Sequence, residues 1–234
     1  MVRKYDPSLV MYLPFFEGEG DIAHDVTGNG NNGVIYGAEW VDTGDPKLGY
    51  GLSFDGVDDY VEVADSASLD ITDAITIMVW VKANTLVPDY QVVVRKGSPD
   101  KYAIYLTSDG EIYWYSEGLT PHGFTSVGAN IQPQQWYHIT VTYDGDNNEV
   151  TFYRNGKMVG SPFSVSGSGL GIDNNPLRIG RYTGTYPFSG IIASVRIYNR
   201  ALSESEIKRL YHLGYIRYVS VPSIVHNLNL KGWE

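Results

Sequence analysis

Residues 188–211 read FSGIIASVRIYNRALSESEIKRLY. Ile191, Ile192, Val195, Ile197 and Tyr198 make an extended apolar run, and β-branched residues suit a pleated, largely buried surface. The period then changes. Ser203 followed by Glu206 reads as a capping box, in which the Ser oxygen takes an orphan N–H and the Glu reaches back to the Ser N–H. Ile207, Leu210 and Tyr211 follow at helical spacing, with Gly214 as the stop. One long central strand therefore feeds one short helix, and no second helix of this quality is written in the chain.

Working outward, the other apolar segments are short and alternate. In residues 75–81, Ile75, Ile77, Val79 and Val81 fall on one face and Thr76, Met78 and Trp80 on the other, as in a central strand covered on both sides. Short strands are also expected at 9–13, 34–36, 52–54, 60–63, 91–96, 102–107, 111–116, 136–143, 149–154, 157–159 and 177–180. Ser108-Asp109-Gly110, the DGDNN run from Asp144 and Asn155-Gly156 carry hairpin chemistry. Residues 160–175, rich in Gly and Ser, read as loop. The fold class is all-β: a two-sheet antiparallel jelly-roll sandwich with one short C-terminal helix. The domain spans 1–214. Residues 215–234 form an extended C-terminal tail, either a strap on the same sandwich or an arm that docks on a neighbouring chain.

Composition removes several functions. The 234 residues carry a formal net charge of -10, which argues against nucleic acid and anionic membrane as partners. There is no Cys, hence no disulfide and no thiol chemistry. The N-terminal residues lack the apolar core of a signal peptide, and no run is long enough to span or insert into a membrane. Tyr is abundant, 19 against 7 Phe, and suits both strands and surfaces that bind with a ring face and a hydroxyl.

Five segments in order, LSFDGVDDYVEV (52–63), WYHITVTYDG (136–145), EVTFYRNGK (149–157), LRIGR (177–181) and VRIYNRALSESEI (195–207), resemble the laminin G-like jelly-roll domains of the concanavalin A-like lectin/glucanase superfamily. The resemblance runs from about Ser8 to Leu213. It implies a sandwich of two curved sheets, an accessory module binding carbohydrate or mediating adhesion, and often a bound Ca2+. The family's calcium site is an N-terminal loop closed by an Asp on the last long strand. Here Asp25, Asn29 and Asn31 supply loop oxygens, Ala193 stands at the Asp position, and Glu17 is the candidate to compensate. A structural calcium and a loop closed by Asx turns alone are both open.

Gly28–Gly33 spells G-x-G-x-x-G, but a strand follows it where a dinucleotide site needs a helix. Asp144, Asp146 and Asn148 imitate the start of an EF-hand out of register with its closing residues. Glycosidase chemistry needs two carboxylates flanking one bond. Glu62 is alone on its strand, and Glu111 and Glu117 stand at opposite ends of another. None of the five histidines has metal-protease spacing, and His138 reads as a hydrogen-bonded strand residue. No catalytic role is expected.

If Ile112 and Trp114 point inward, Tyr113 and Tyr115 point to the other face, and Tyr105 joins them by cross-strand pairing. Such a row can stack on sugar rings, or can serve β propensity alone. The loops at 121–130 and 182–187 are a second candidate, with Arg181, Tyr182 and Tyr186 as contacts. The expectation is a non-catalytic carbohydrate-binding or adhesion module, with carbohydrate or a cell-surface glycan as partner, located outside the cell, at its surface or on a virion. The alternative is a structural protein, such as a virion decoration or fibre component, that self-associates through the tail.

Overall fold

The computed structural model describes residues 6–45, 48–181 and 184–213. Tyr182, Gly214 and the tail, on which the assembly reading rests, lie outside them. In chain order the strands are β1 (Leu9–Leu13), β2 (Ile22–Ala23), β3 (Gly33–Tyr36), β4 (Glu39–Asp42), β5 (Tyr50–Asp55) and β6 (Tyr60–Val63). Next come β7 (Ala74–Ala83), β8 (Gln91–Gly97), β9 (Asp100–Leu106), β10 (Ile112–Tyr115), β11 (Leu119–Thr120) and β12 (Gly123–Thr125). The last are β13 (Tyr137–Asp144), β14 (Glu149–Arg154), β15 (Lys157–Ser164), β16 (Ser166–Gly167), β17 (Leu177–Ile179) and β18 (Ser189–Tyr198), before helix α1 (Glu204–Leu213).

Sixteen of these make two antiparallel sheets of eight strands, and β11 and β16 pair as a separate two-stranded ribbon. Sheet A runs β15-β14-β13-β7-β18-β5-β4, with β1 also on β18, and sheet B runs β12-β10-β9-β8-β17-β6-β3-β2. β18 is central as expected. It pairs with β7 along one edge, while β5 and β1 share the other. Ile192, Val195 and Ile197 of β18 join Ile75, Ile77, Val79 and Val81 of β7 in the main core between the sheets. Sheet B answers with Val61, Val63, Ile104, Leu106, Ile112 and Trp114.

Both faces of β7 are covered because α1 lies on the outside of sheet A. Ile207 packs there with Leu9, Met78, Tyr153 and Tyr198, and the Tyr211 ring stacks on Trp80 at 5.6 Å. The capping box forms: Glu206 Oε2 accepts the Ser203 N–H at 2.9 Å, and Ser203 Oγ accepts the Glu206 N–H at 3.4 Å. Arg200 adds a second hold on Glu206 and bonds Asp6, tying the helix start to the chain before β1. The hydrogen bonds and charge of Arg200 hold Glu206 at about 2, against the desolvation that would raise it.

Asn155 and Gly156 both take positive φ, 52° and 75°, as a two-residue hairpin of the primed type requires. In the G-x-G-x-x-G stretch, Gly28 and Gly30 take positive φ, whereas Gly33 is needed for space: a Cβ there would meet Val61 Cγ1 at 2.4 Å. Two expectations are corrected. Strand β15 continues to Ser164, and β16 forms, inside the stretch read as loop; β12 forms within 121–130 and pairs with β10. β15 is an edge strand with mostly exposed side chains, where Pro162 can stand without removing a ladder bond.

Two cations are buried side by side on β8. Lys96, 1% exposed, donates to Asp65 Oδ1 at 2.6 Å and to the carbonyls of Asn175 and Asp173 at 2.7 and 3.0 Å, so it fastens two loops to sheet B. Arg95 points to the opposite face, where the candidate site lies.

Candidate functional site

The outer face of sheet B carries the tyrosines. Ile112 and Trp114 are fully buried in the core, so strand alternation sends Tyr113 and Tyr115 outward. β10 pairs with β9 in a register that sets Tyr113 opposite Tyr105 and Tyr115 opposite Ala103. Their ring centroids, Tyr105 to Tyr113, are 5.9 Å apart. Tyr186 arrives from the segment before β18. Its φ is 57°, its carbonyl accepts the Val92 N–H at 2.9 Å, and Phe188 two residues on anchors the segment in the core. The tyrosine row and Tyr186 of the second candidate, separate in the sequence, thus meet at one place.

Two residues there were not foreseen. Tyr90, from the segment before β8, lies 4.8 Å from Tyr113 and 6.0 Å from Tyr186, edge-on to the latter. Asp100 opens β9 beneath them. Together with Pro99, the five tyrosines and Asp100 line a cavity of about 310 Å³. Tyr90 and Tyr186 form its exposed rim, and Tyr105 and Asp100 its buried floor.

Asp100 is held from behind. Arg95 Nε donates to its Oδ1 at 2.8 Å, Arg95 Nη2 donates to the same oxygen and to the Gly97 carbonyl, and the Tyr105 hydroxyl donates to Oδ2. Burial, then the charge and hydrogen bond of Asp100, push the Tyr105 phenol well above its ordinary range. Burial, then the neighbouring Tyr90, Tyr115 and Asp100, raise Tyr113. Both hydroxyls therefore stay protonated: that of Tyr105 is committed to Asp100, and that of Tyr113 keeps its proton as a donor. A bowl of aromatic faces with protonated hydroxyls around one carboxylate can stack on the C–H face of a small polar ring and hydrogen-bond its edge.

Arg181 stands apart from the bowl and donates from Nη1 to the Asp58 carbonyl at 3.0 Å. Of the candidate calcium ligands, Asp25 accepts the N–H groups of Tyr12 at 3.0 Å and of Thr27 and Asn31 at 3.1 Å. Asn29 and Asn31 direct their amide nitrogens to the Val10 carbonyl, and Asn31 Oδ1 accepts the Ser66 hydroxyl at 2.7 Å. Glu17 instead accepts the His24 N–H at 2.7 Å. These bonds close the loop from within, and an ion there would have to displace some of them. Ala193 sits where β18 shifts register and packs with Leu48 and Trp80 on the outside of sheet A. Among the described residues, the acidic group whose oxygens lie within 4.8 Å of one another is Asp55, Asp58 and Asp59, in the turn before β6.

The carboxylates considered for catalysis are engaged structurally. Glu62 pairs with Arg178 at 2.8 Å and Glu117 with Lys101 at 3.0 Å. Glu111 accepts the Ser126 hydroxyl and the N–H groups of Gly128 and Ala129, which folds that loop over its carboxylate. His138 corrects an expectation: it is buried on β13 beside Trp80, but neither ring nitrogen has a hydrogen-bond partner.

A laminin G model of the concanavalin A-like lectin/glucanases superfamily matches residues 55–208, about two thirds of the chain. The chain belongs to this superfamily. No curated protein matches it significantly. Solved structures do. The binding domain of Paraclostridial Mosquitocidal Protein 1 is 20% identical with a TM-score of 0.66, over 87% of this chain and 52% of that one. Domain 4 of AbnA, a GH43 extracellular arabinanase from Geobacillus stearothermophilus solved with arabinotriose, is 22% identical with a TM-score of 0.65, over 87% of this chain and 98% of that domain. A Trypanosoma rangeli sialidase is 19% identical with a TM-score of 0.67, over 88% of this chain and 33% of the sialidase. The chain therefore spans about half of the mosquitocidal binding domain and a third of the sialidase. At these identities the likeness is one of fold. No helix among the described residues is long and apolar enough to cross a membrane.

Proposed function

We propose that this superfamily member is a non-catalytic carbohydrate-binding module that takes sugar in the tyrosine bowl, outside the cell. The observation that carries the reading is the convergence of Tyr90, Tyr105, Tyr113, Tyr115 and Tyr186 over Asp100 around one cavity. Its volume, about 310 Å³, is at the small end of the range for small-molecule sites, about 300–1,000 Å³. One or two sugar rings fit that size better than a long chain lying in a groove. Likeness to an arabinanase domain solved with arabinotriose supports the ligand class. The structural partners of Glu62, Glu111 and Glu117 support a role without bond cleavage.

A glycan array followed by calorimetry on wild type, Tyr90→Ala and Tyr186→Ala tests this. Both rings stand on the exposed rim, so the variants should fold, and each should weaken binding about tenfold or more, as loss of a stacking ring does. Glycan binding unchanged in both variants, or hydrolysis of a bound polysaccharide, would overturn the reading. Calcium at the Asp25 loop is a separate proposal. A rise in melting temperature on adding calcium, abolished by Asp25→Asn, would support it; no rise would refute it.

A further inference from the structure

We propose that the bowl selects uncharged sugars and rejects uronic, sialic and sulfated ones, with Asp100 as the residue that sets the selection. This rests on the carbohydrate reading above and adds the chemical class.

The described lining of the cavity holds one carboxylate and no cation. Arg95, the nearest guanidinium, is 3% exposed and does not line the cavity. It lies behind Asp100, bonded to Oδ1 and to the Gly97 carbonyl. A carboxylate offers about four lone-pair sites. Here two donors of Arg95 and the Tyr105 hydroxyl take three of them. The remaining acceptor site is on a residue 7% exposed that lines the cavity. A sugar hydroxyl is a donor and can complete Asp100. A sugar carboxylate or sulfate is acceptor-only, so it would leave the remaining lone pair of Asp100 without a donor and bring a second anion against a carboxylate whose counter-ion, Arg95, is already engaged behind it. The phenols other than Tyr105 could still donate to an anion, but they bring no positive charge to offset its lost hydration. A chain of net charge -10 adds a long-range field of the same sign.

A second cavity shows the contrast. Arg154, Lys157, Lys208 and His212 line it, between β15 and α1. A cationic lining is available in this protein, and the bowl does not have one.

The test is calorimetry on the full chain with oligosaccharide pairs that differ only at C6: galactose against galacturonate, glucose against glucuronate, mannose against mannuronate. For whichever pair binds, the neutral member should bind at least about tenfold tighter. Its affinity should hold steady as ionic strength rises from about 0.01 to 0.15 M, which shortens the screening length from about 30 to 8 Å. Asp100→Asn keeps the shape, removes the carboxylate charge and leaves the Arg95 charge unopposed behind the floor, so it should cut the preference to about threefold or less or reverse it. If that variant does not fold, the wild-type ratio and its salt response still decide. An acidic member that binds equally or better, or an affinity that falls with salt, overturns the selectivity and leaves the carbohydrate reading standing. Failure of every neutral oligosaccharide, pentose chains included, overturns both.

Discussion

Replacing Arg95 by Met should unfold this protein at a markedly lower temperature. The Arg95 and Asp100 side chains are 4% and 8% exposed, so neither charge can turn to water when its partner is removed. Met keeps most of the apolar stem and deletes the guanidinium, which leaves Asp100 ionised in the buried floor of the bowl with only the Tyr105 hydroxyl as a side-chain donor. Breaking a buried pair in this way costs about 3–5 kcal/mol. At about 2–4 °C per kcal/mol for a domain of this size, the melting temperature should fall by about 6–20 °C. The assay is thermal unfolding by circular dichroism, with the double variant Arg95→Met/Asp100→Leu measured alongside. Deleting both charges removes the stranded carboxylate and leaves only an unpaired Tyr105 hydroxyl, so the double variant should recover about 2 kcal/mol relative to Arg95→Met. A single variant that melts within about 2 °C of wild type, or a double variant less stable than Arg95→Met, would mean that the floor of the bowl is not a desolvated ion pair.

Gly123→Ala should reach the site from the adjacent strand β12, because a Cβ there would meet the Tyr113 hydroxyl at 2.0 Å. The ring must move; stability should change by less than about 1 kcal/mol, while affinity for the neutral ligand falls several-fold. His138 is neutral in the fold, pushed down to about 3 by burial and then by the charge of Arg196, against 6.5 when free. Its contribution is therefore complete above pH about 6.5 and is lost as pH falls towards 3, at about 1.4 kcal/mol per pH unit. His138→Phe should flatten that acid limb in urea titrations run between those limits. Ser203→Ala removes the cap of α1 and should cost about 1 kcal/mol, read as a fall of about 2–4 °C.

The frame of the sandwich was legible because it rests on local chemistry. The alternation of 75–81, the β-branched run of 191–197, the Ser203–Glu206 box and the Asn155-Gly156 turn each specify their element without help from the rest of the chain. Strands β12 and β16 were not legible: two or three residues set among Gly, Ser and Pro carry no period, and only the partner strand makes them extended. The bowl divides in the same way. Alternation and cross-strand register place Tyr105, Tyr113 and Tyr115 on one face from sequence alone. Tyr90 and Tyr186 come from segments between strands, whose direction is set by bonds such as that from the Val92 N–H to the Tyr186 carbonyl. Asp100 did leave a signal. Arg95 and Lys96 interrupt an apolar strand, a buried cation needs a counter-ion, and Asp100 is the acid that follows within five residues.

The most direct measurement is a crystal structure of the protein grown with the neutral oligosaccharide it binds best. The account predicts a sugar ring lying against Tyr90, Tyr113 or Tyr186, with a hydroxyl directed at Asp100. A sugar seated elsewhere, for instance between Lys157 and Lys208, with the five tyrosines free of ligand, would contradict it.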